Sequence, residues 1–231
     1  MGTVSKLLLW WILFGGTHIL GSTLPVRTFL IRRIGLPAFK GLYSLVALAT
    51  LLPLSFVYFL EKHAGPALFT PAPGMRIVTQ VLMFFAVLVL GQAVATTNPM
   101  GTMAELSGQH MDRARGIQRV TRHPMNFAFA LFGLAHCLVN PHSGDWIFFG
   151  GFVVYAAASS LHQDRRTFAT GPEAVRQFQA QTSCLPFVGI LSGRQRLAPE
   201  EYSRIALAVS LAVFVLLRLF HGALFGGFSH P

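Results

Sequence analysis

Charge is what this sequence has least of. Asp, Glu, Lys and Arg make up 11% of its 231 residues, where soluble domains carry about a quarter. With 53% hydrophobic residues and 21 phenylalanines, there are too few charges to cover the apolar surface in water. That excludes an ordinary cytosolic enzyme and a disordered tail. Cysteine is scarce too: Cys137 and Cys184 are the only two, and they form no CxxC. A disulfide-rich secreted module is thereby excluded. Walker loops, GxGxxG, HExxH and GxSxG are all missing. What is left is an integral membrane protein.

Crossing the hydrocarbon takes about 20 mostly apolar residues. Six runs qualify, at about 5–24, 41–60, 77–97, 124–140, 146–162 and 204–225. The reading is an all-α, polytopic helix bundle of about six transmembrane helices, forming one domain over 1–231. There is no internal repeat and no low-complexity linker. The fourth and fifth runs are short, which suits helices that tilt little or end in protected loops. Pro53 is expected to kink the second, and Pro124 opens the fourth where proline is tolerated. Leu7 to Phe14 has the look of a signal-peptide core, but no A-x-A-like site follows, so the first run is read as a helix.

The net charge of +10 points to nucleic acid only when the basic residues cluster on a soluble face. Here they fall between the apolar runs. Arg27, Arg32, Arg33 and Lys40 follow the first, Arg113, Arg115, Arg119 and Arg122 the third, and Arg165, Arg166, Arg176, Arg194, Arg196 and Arg204 the fifth. These are 14 of the 18 Lys and Arg. Lys6, Lys62 and Arg76 remain for the other side, with Arg218 inside the last run. The positive-inside rule then makes those three connections cytoplasmic and puts both termini on the non-cytoplasmic side of a bacterial inner membrane. No nucleic-acid partner is expected; membrane lipids are. The same topology puts Cys137 and Cys184 at opposite faces, too far apart for a disulfide.

The connection at 163–203 is more than a loop. Pro172 to Gln181 places Val175 and Phe178 on one face, with Arg176 and Gln179 opposite. That pattern suits a short helix at the interface, and equally a solvated helix.

Ionisable groups inside spans are costly and mark function. His18 sits in the first run, in Gly15-Gly16-Thr17-His18-Ile19-Leu20-Gly21-Ser22, where small residues permit close approach. His136 sits in the fourth and His221 in the sixth, three residues after Arg218. His123 and His162 mark the ends of the fourth and fifth runs, and His63 the end of the second. Any one of them could serve as an interhelical hydrogen bond. Several on separate helices suggest haem ligation, since neutral imidazole is a usual axial ligand. Arg218 has no Asp or Glu within any run to pair with. It either snorkels or meets an anion outside the protein, such as a haem propionate or a phospholipid head group.

Arg119-Val120-Thr121-Arg122-His123-Pro124, followed by Leu134-Ala135-His136 and Asp164-Arg165-Arg166, strongly resembles the NnrU family. That family includes the 15-cis-ζ-carotene isomerases of plants and cyanobacteria and bacterial members linked to nitric oxide and denitrification. The likeness extends through Thr17-His18, Ser22 and Arg27, Gly41-Leu42-Tyr43-Ser44, Thr182-Ser183, Leu185-Pro186-Phe187 and Gly193-Arg194-Gln195. The resemblance to the isomerase branch implies haem b held by His18 and His136, with a further histidine at His63. It implies redox-gated cis–trans isomerisation of a polyene, without net redox change, and a hydrophobic polyene or lipid-like small molecule as partner. That branch carries a cysteine three residues before its second ligand, where this chain has Gly133. By depth alone His18 belongs with His123 and His162, and His136 with His221 and His63. His18 and His136 are the family pair, His123 the alternative partner, and Arg218 a candidate propionate contact.

Two other readings stand beside it. One is a non-enzymatic accessory of denitrification and nitric oxide metabolism. The other is a membrane methyltransferase, because Arg-His-Pro before an interfacial segment is also similar to the isoprenylcysteine methyltransferases. Those bind S-adenosylmethionine near positions matching Arg122, His123 and Arg165. This chain departs from their pattern at Asp164-Arg165 and at Asn126-Phe127-Ala128.

Overall fold

The computed structural model describes residues 1–108 and 113–226. Ten α-helices follow one another: α1 Thr3–Ser22, α2 Leu24–Ile34, α3 Leu36–Leu60, α4 Met75–Ala95, α5 Thr102–Ser107, α6 Pro124–Cys137, α7 Ser143–Thr170, α8 Glu173–Gln181, α9 Val188–Leu191 and α10 Arg204–Phe225. Five of them, α1, α3, α4, α7 and α10, are long and apolar enough to cross a membrane, and α6 is a shorter apolar helix. The hydropathy runs therefore correspond to helices, and the chain is a multi-pass membrane protein.

Helix α6 is the centre of the bundle. It packs most extensively on α7 and α4, while α1 lies against α3 and α7. Helix α10 packs chiefly along α4. There a β-carbon at Gly91 would collide with Ser210 Oγ, so the two backbones approach as small-residue contacts allow. Buried residues gather in three groups. Leu7, Leu54, Tyr58, Cys137, Phe148 and Phe149 join α1, α3, α6 and α7. Val89, Ile117, Val120 and Ala128 join α4 to the entry of α6. Met100, Ala114, Val175 and Phe178 seat α8. Lipid is as apolar as these side chains, so dispersion and close fit hold the groups together in place of water exclusion.

The basic connections gather at one end of the bundle. Arg27 and Lys40 both pair with Glu105, Arg119 with Glu201 at 2.6 Å, and Arg122 with Asp164 at 3.4 Å. At the other end Lys6 pairs with Glu61 at 2.8 Å, and Lys62 donates to the Phe225 carbonyl.

Three local expectations change. The stretch after α1, read as a connection, is helix α2; Thr23 breaks the run by donating its hydroxyl to the Leu20 carbonyl at 2.7 Å, and Pro25 restarts it. Helix α7 is 28 residues long, well beyond 146–162, so Asp145, His162 and Asp164 are all helical. Helix α8 lies on protein. Gln179, placed outward by the sequence pattern, is 7% exposed, and its Nε2 donates to Thr167 Oγ1 at 2.8 Å and to the Asp164 carbonyl at 3.1 Å. Helix α3 runs continuously through Pro53, and α1 is integrated into the bundle, with Leu7 fully buried.

Candidate functional site

The Arg-His-Pro segment enters α6 from a 3₁₀ turn at Gly116–Arg119. Pro124 takes the first helical position, where its missing N–H costs nothing. The backbone before it is stitched to the segment that precedes α9. Arg122 N–H donates to the Ser183 carbonyl at 2.9 Å, and Phe187 N–H to the Val120 carbonyl at 2.8 Å. Thr121 Oγ1 donates to the Cys184 carbonyl at 2.9 Å, and Arg122 to the Thr182 carbonyl at 2.8 Å. His123 is 4% exposed, with Nε2 2.8 Å from Asp164 Oδ1.

A cysteine, a histidine and an aspartate thus converge, since Cys184 joins His123 and Asp164 within 4.8 Å. The electrostatics oppose a nucleophile here. Burial, and the charge of Asp164, push the Cys184 thiol up despite Arg122, so the thiol stays protonated. Burial also lowers the pKa of Arg122, against the pull of Asp164. The arrangement is a locked ion pair and hydrogen-bond ring. It commits His123 Nε2 to Asp164.

His136 ends α6 in an aromatic bed. Its ring lies 4.4 Å from both Phe132 and Phe149, stacked at 19° on the latter. Nδ1 is 2.9 Å from the Phe132 carbonyl oxygen. A carbonyl only accepts, so Nδ1 carries the proton and Nε2 of the neutral ring keeps a free lone pair. That is the state in which histidine binds a metal. The next imidazole is His221 of α10, 6.5 Å away between ring centroids and inclined by 28°. Arg218 precedes His221 by one turn on the exposed side of α10.

His18 stands elsewhere. Its ring packs 4.2 Å from Tyr43, 5.4 Å from Phe14 and 5.7 Å from Tyr155, and Tyr43 donates to its backbone carbonyl at 2.7 Å. On α7, Tyr155 is six residues beyond Phe149, about 9 Å along the axis and well round the helix. The His18 ring therefore contacts α7 nearly two turns from the part that His136 stacks on, and the imidazole beside His136 is His221.

Of the other described histidines, His63 has a polar partner and His162 borders a cleft. His63 lies just past α3, with Nδ1 3.0 Å from Asp145 Oδ2. His162, inside α7, has a buried Nε2 without a hydrogen-bond partner, beside a small cleft formed by Thr23, Leu24, Pro25, Arg165 and Arg166. Sequence reasoning missed His142 and Asp145. The signal was present in their spacing of three at the head of α7, but Asp145 lay one residue outside the apolar run.

The model of the family described as NnrU protein matches residues 6–228. The 15-cis-zeta-carotene isomerase, chloroplastic, of Zea mays is 31% identical over 116 residues, 50% of this chain and 30% of that protein. The match thus spans under a third of the relative's length. No solved structure matches. With nearly its whole length aligned to one family and the Arg-His-Pro ring and His136 bed in place, this chain belongs to the NnrU family.

Proposed function

We propose that this protein is a cis–trans isomerase acting on a polyene of the 15-cis-ζ-carotene type, dependent on haem b and gated by its redox state, without net redox change. The observation that carries the reading is His136: its Nδ1 proton is held by the Phe132 carbonyl, its Nε2 is left as a donor, and a second imidazole stands nearby. When bound, haem supplies an iron whose oxidation state changes its ligation and allows Lewis-acid or electron-relay chemistry at a double bond. The chain's own part is to fix the imidazole tautomer, exclude water and offer Phe132, Phe149 and Phe225 as flat apolar surface. Arg218, one turn from His221, is suited to a propionate. His18 is the second ligand that the family resemblance implies; His221 is the imidazole that lies beside His136.

Absorption spectra of the detergent-purified protein, oxidised and dithionite-reduced, test the cofactor. His136→Ala is expected to abolish the Soret band. His221→Ala and His18→Ala then decide the second ligand by which of them changes the low-spin spectrum. Carotene isomer analysis in cells that accumulate the cis substrate tests the reaction. Unchanged haem loading in His136→Ala would overturn the assignment.

A further inference from the structure

A second ligand set lies at the end of the bundle opposite the Arg-His-Pro ring. His63 comes from the turn after α3, and His142 and Asp145 from the head of α7. One nitrogen of each histidine and one oxygen of Asp145 all lie within 4.8 Å of one another. We propose that His63, His142 and Asp145 form a site for one divalent transition-metal ion of the zinc or ferrous class.

The distances suit an ion. Asp145 Oδ2 is 3.0 Å from His63 Nδ1 and 3.5 Å from His142 Nδ1. In a tetrahedral site with bonds of about 2.05 Å, ligand atoms stand ~3.3 Å apart. The hydrogen-bond inventory alone leaves the group unfinished. Oδ2 already accepts from the His142 backbone N–H at 3.2 Å and faces His63 Nδ1, and the buried His142 Nδ1 stands 3.5 Å from that same oxygen, too far for a good hydrogen bond. Two imidazoles and one carboxylate are the ligand types that borderline divalent ions choose.

Support around the ligands is in place. The Asp145 side chain is fully buried, and Tyr58 donates to its other oxygen at 3.0 Å, an outer-shell bond of the kind that orients ligating carboxylates. The turn bearing His63 is sewn to the head of α7. Leu68 N–H donates to the Pro141 carbonyl at 2.8 Å, Ser143 N–H to Pro66 at 3.0 Å and Gly144 N–H to Ala64 at 2.9 Å. His63 itself is held at φ 56°, a left-handed conformation that a non-glycine residue adopts at a cost. The His63 side chain is 44% exposed, so the fourth position opens to the outside of the bundle, the pattern of sites that keep an exchangeable ligand.

The test uses the full-length protein in detergent, stripped with EDTA and then equilibrated with Zn²⁺ or, without oxygen, with Fe²⁺. Bound metal is counted by mass spectrometry. About one ion per chain is expected in one of the two arms. His142→Ala and His63→Ala are each expected to lose it, and Tyr58→Phe to weaken it about 10–100-fold. His136→Ala should retain it, which separates this site from haem, as does removal of the ion by chelator with the Soret band unchanged. Should His142→Ala fail to fold, the half-exposed His63→Ala decides. No ion in either arm, or equal content in His63→Ala and the parent, overturns the proposal.

Discussion

A β-carbon at Gly133 would collide with the carbonyl oxygen of Phe149, with Val153 and Phe152 closing the same space. The two central helices α6 and α7 cross backbone to backbone at this point, one turn from His136. A methyl or thiol-bearing side chain has no room here. Gly133→Ala and Gly133→Cys are expected to destabilise the protein by about 1–3 kcal/mol through overpacking. Thermal melts in detergent check this; a Gly133→Cys protein as stable as the parent would show that the crossing yields.

Asp164 holds both His123 and Arg122. Removing it leaves two nearly buried groups without their carboxylate, so Asp164→Ala is expected to cost about 3 kcal/mol. Asp164→Asn, which keeps the shape and one hydrogen bond, should cost about half of that. The ordering of the two variants in chemical denaturation is the result to look for.

Acid should loosen the same end through Glu201. Hydrogen bonds from Arg119 and, less, from the Gly116 N–H hold its carboxyl at about 2, down from 4.5. A pKa depressed on folding contributes stability that is present above 4.5 and lost as the pH falls from there towards 2. The pair is partly open to solvent, which limits the effect to about 1 kcal/mol. Glu201→Gln should remove this part of the pH dependence while leaving stability at pH 7 lower. Melting curves from pH 6 to pH 3 for both proteins make the comparison.

Helix α10 leans on α4 through Gly91 and Ser210. A large side chain at position 91 should lift it away and carry His221 from His136. Gly91→Leu is expected to increase proteolysis between α9 and α10 several-fold. Under the proposed function it should also change the haem spectrum as His221→Ala does. An unaltered digestion pattern would mean that α10 has another anchor.

Hydropathy made most of this fold legible because crossing the hydrocarbon demands a minimum apolar length. Helix α2 escaped notice because Arg27, Arg32 and Arg33 within eleven residues erase the apolar pattern, although nothing interrupts the helix before Gly35. The outward assignment of Gln179 failed because periodicity says which residues share a face but not whether the opposite face is also covered. Among the histidines, depth counted along each helix grouped His136 with His221 correctly, since rise per residue is fixed. It could not reveal His142 with Asp145, which depends on a turn from α3 folding back onto α7.

Helix α6 is only 14 residues long and rises ~21 Å, against a hydrocarbon layer of about 30 Å. The shortfall is made up by irregular backbone shielded inside protein or by a locally thinned bilayer. Either way α6 is the shortest of the apolar helices of the bundle, so the irregular segments at its two ends must shield their own backbone groups from lipid.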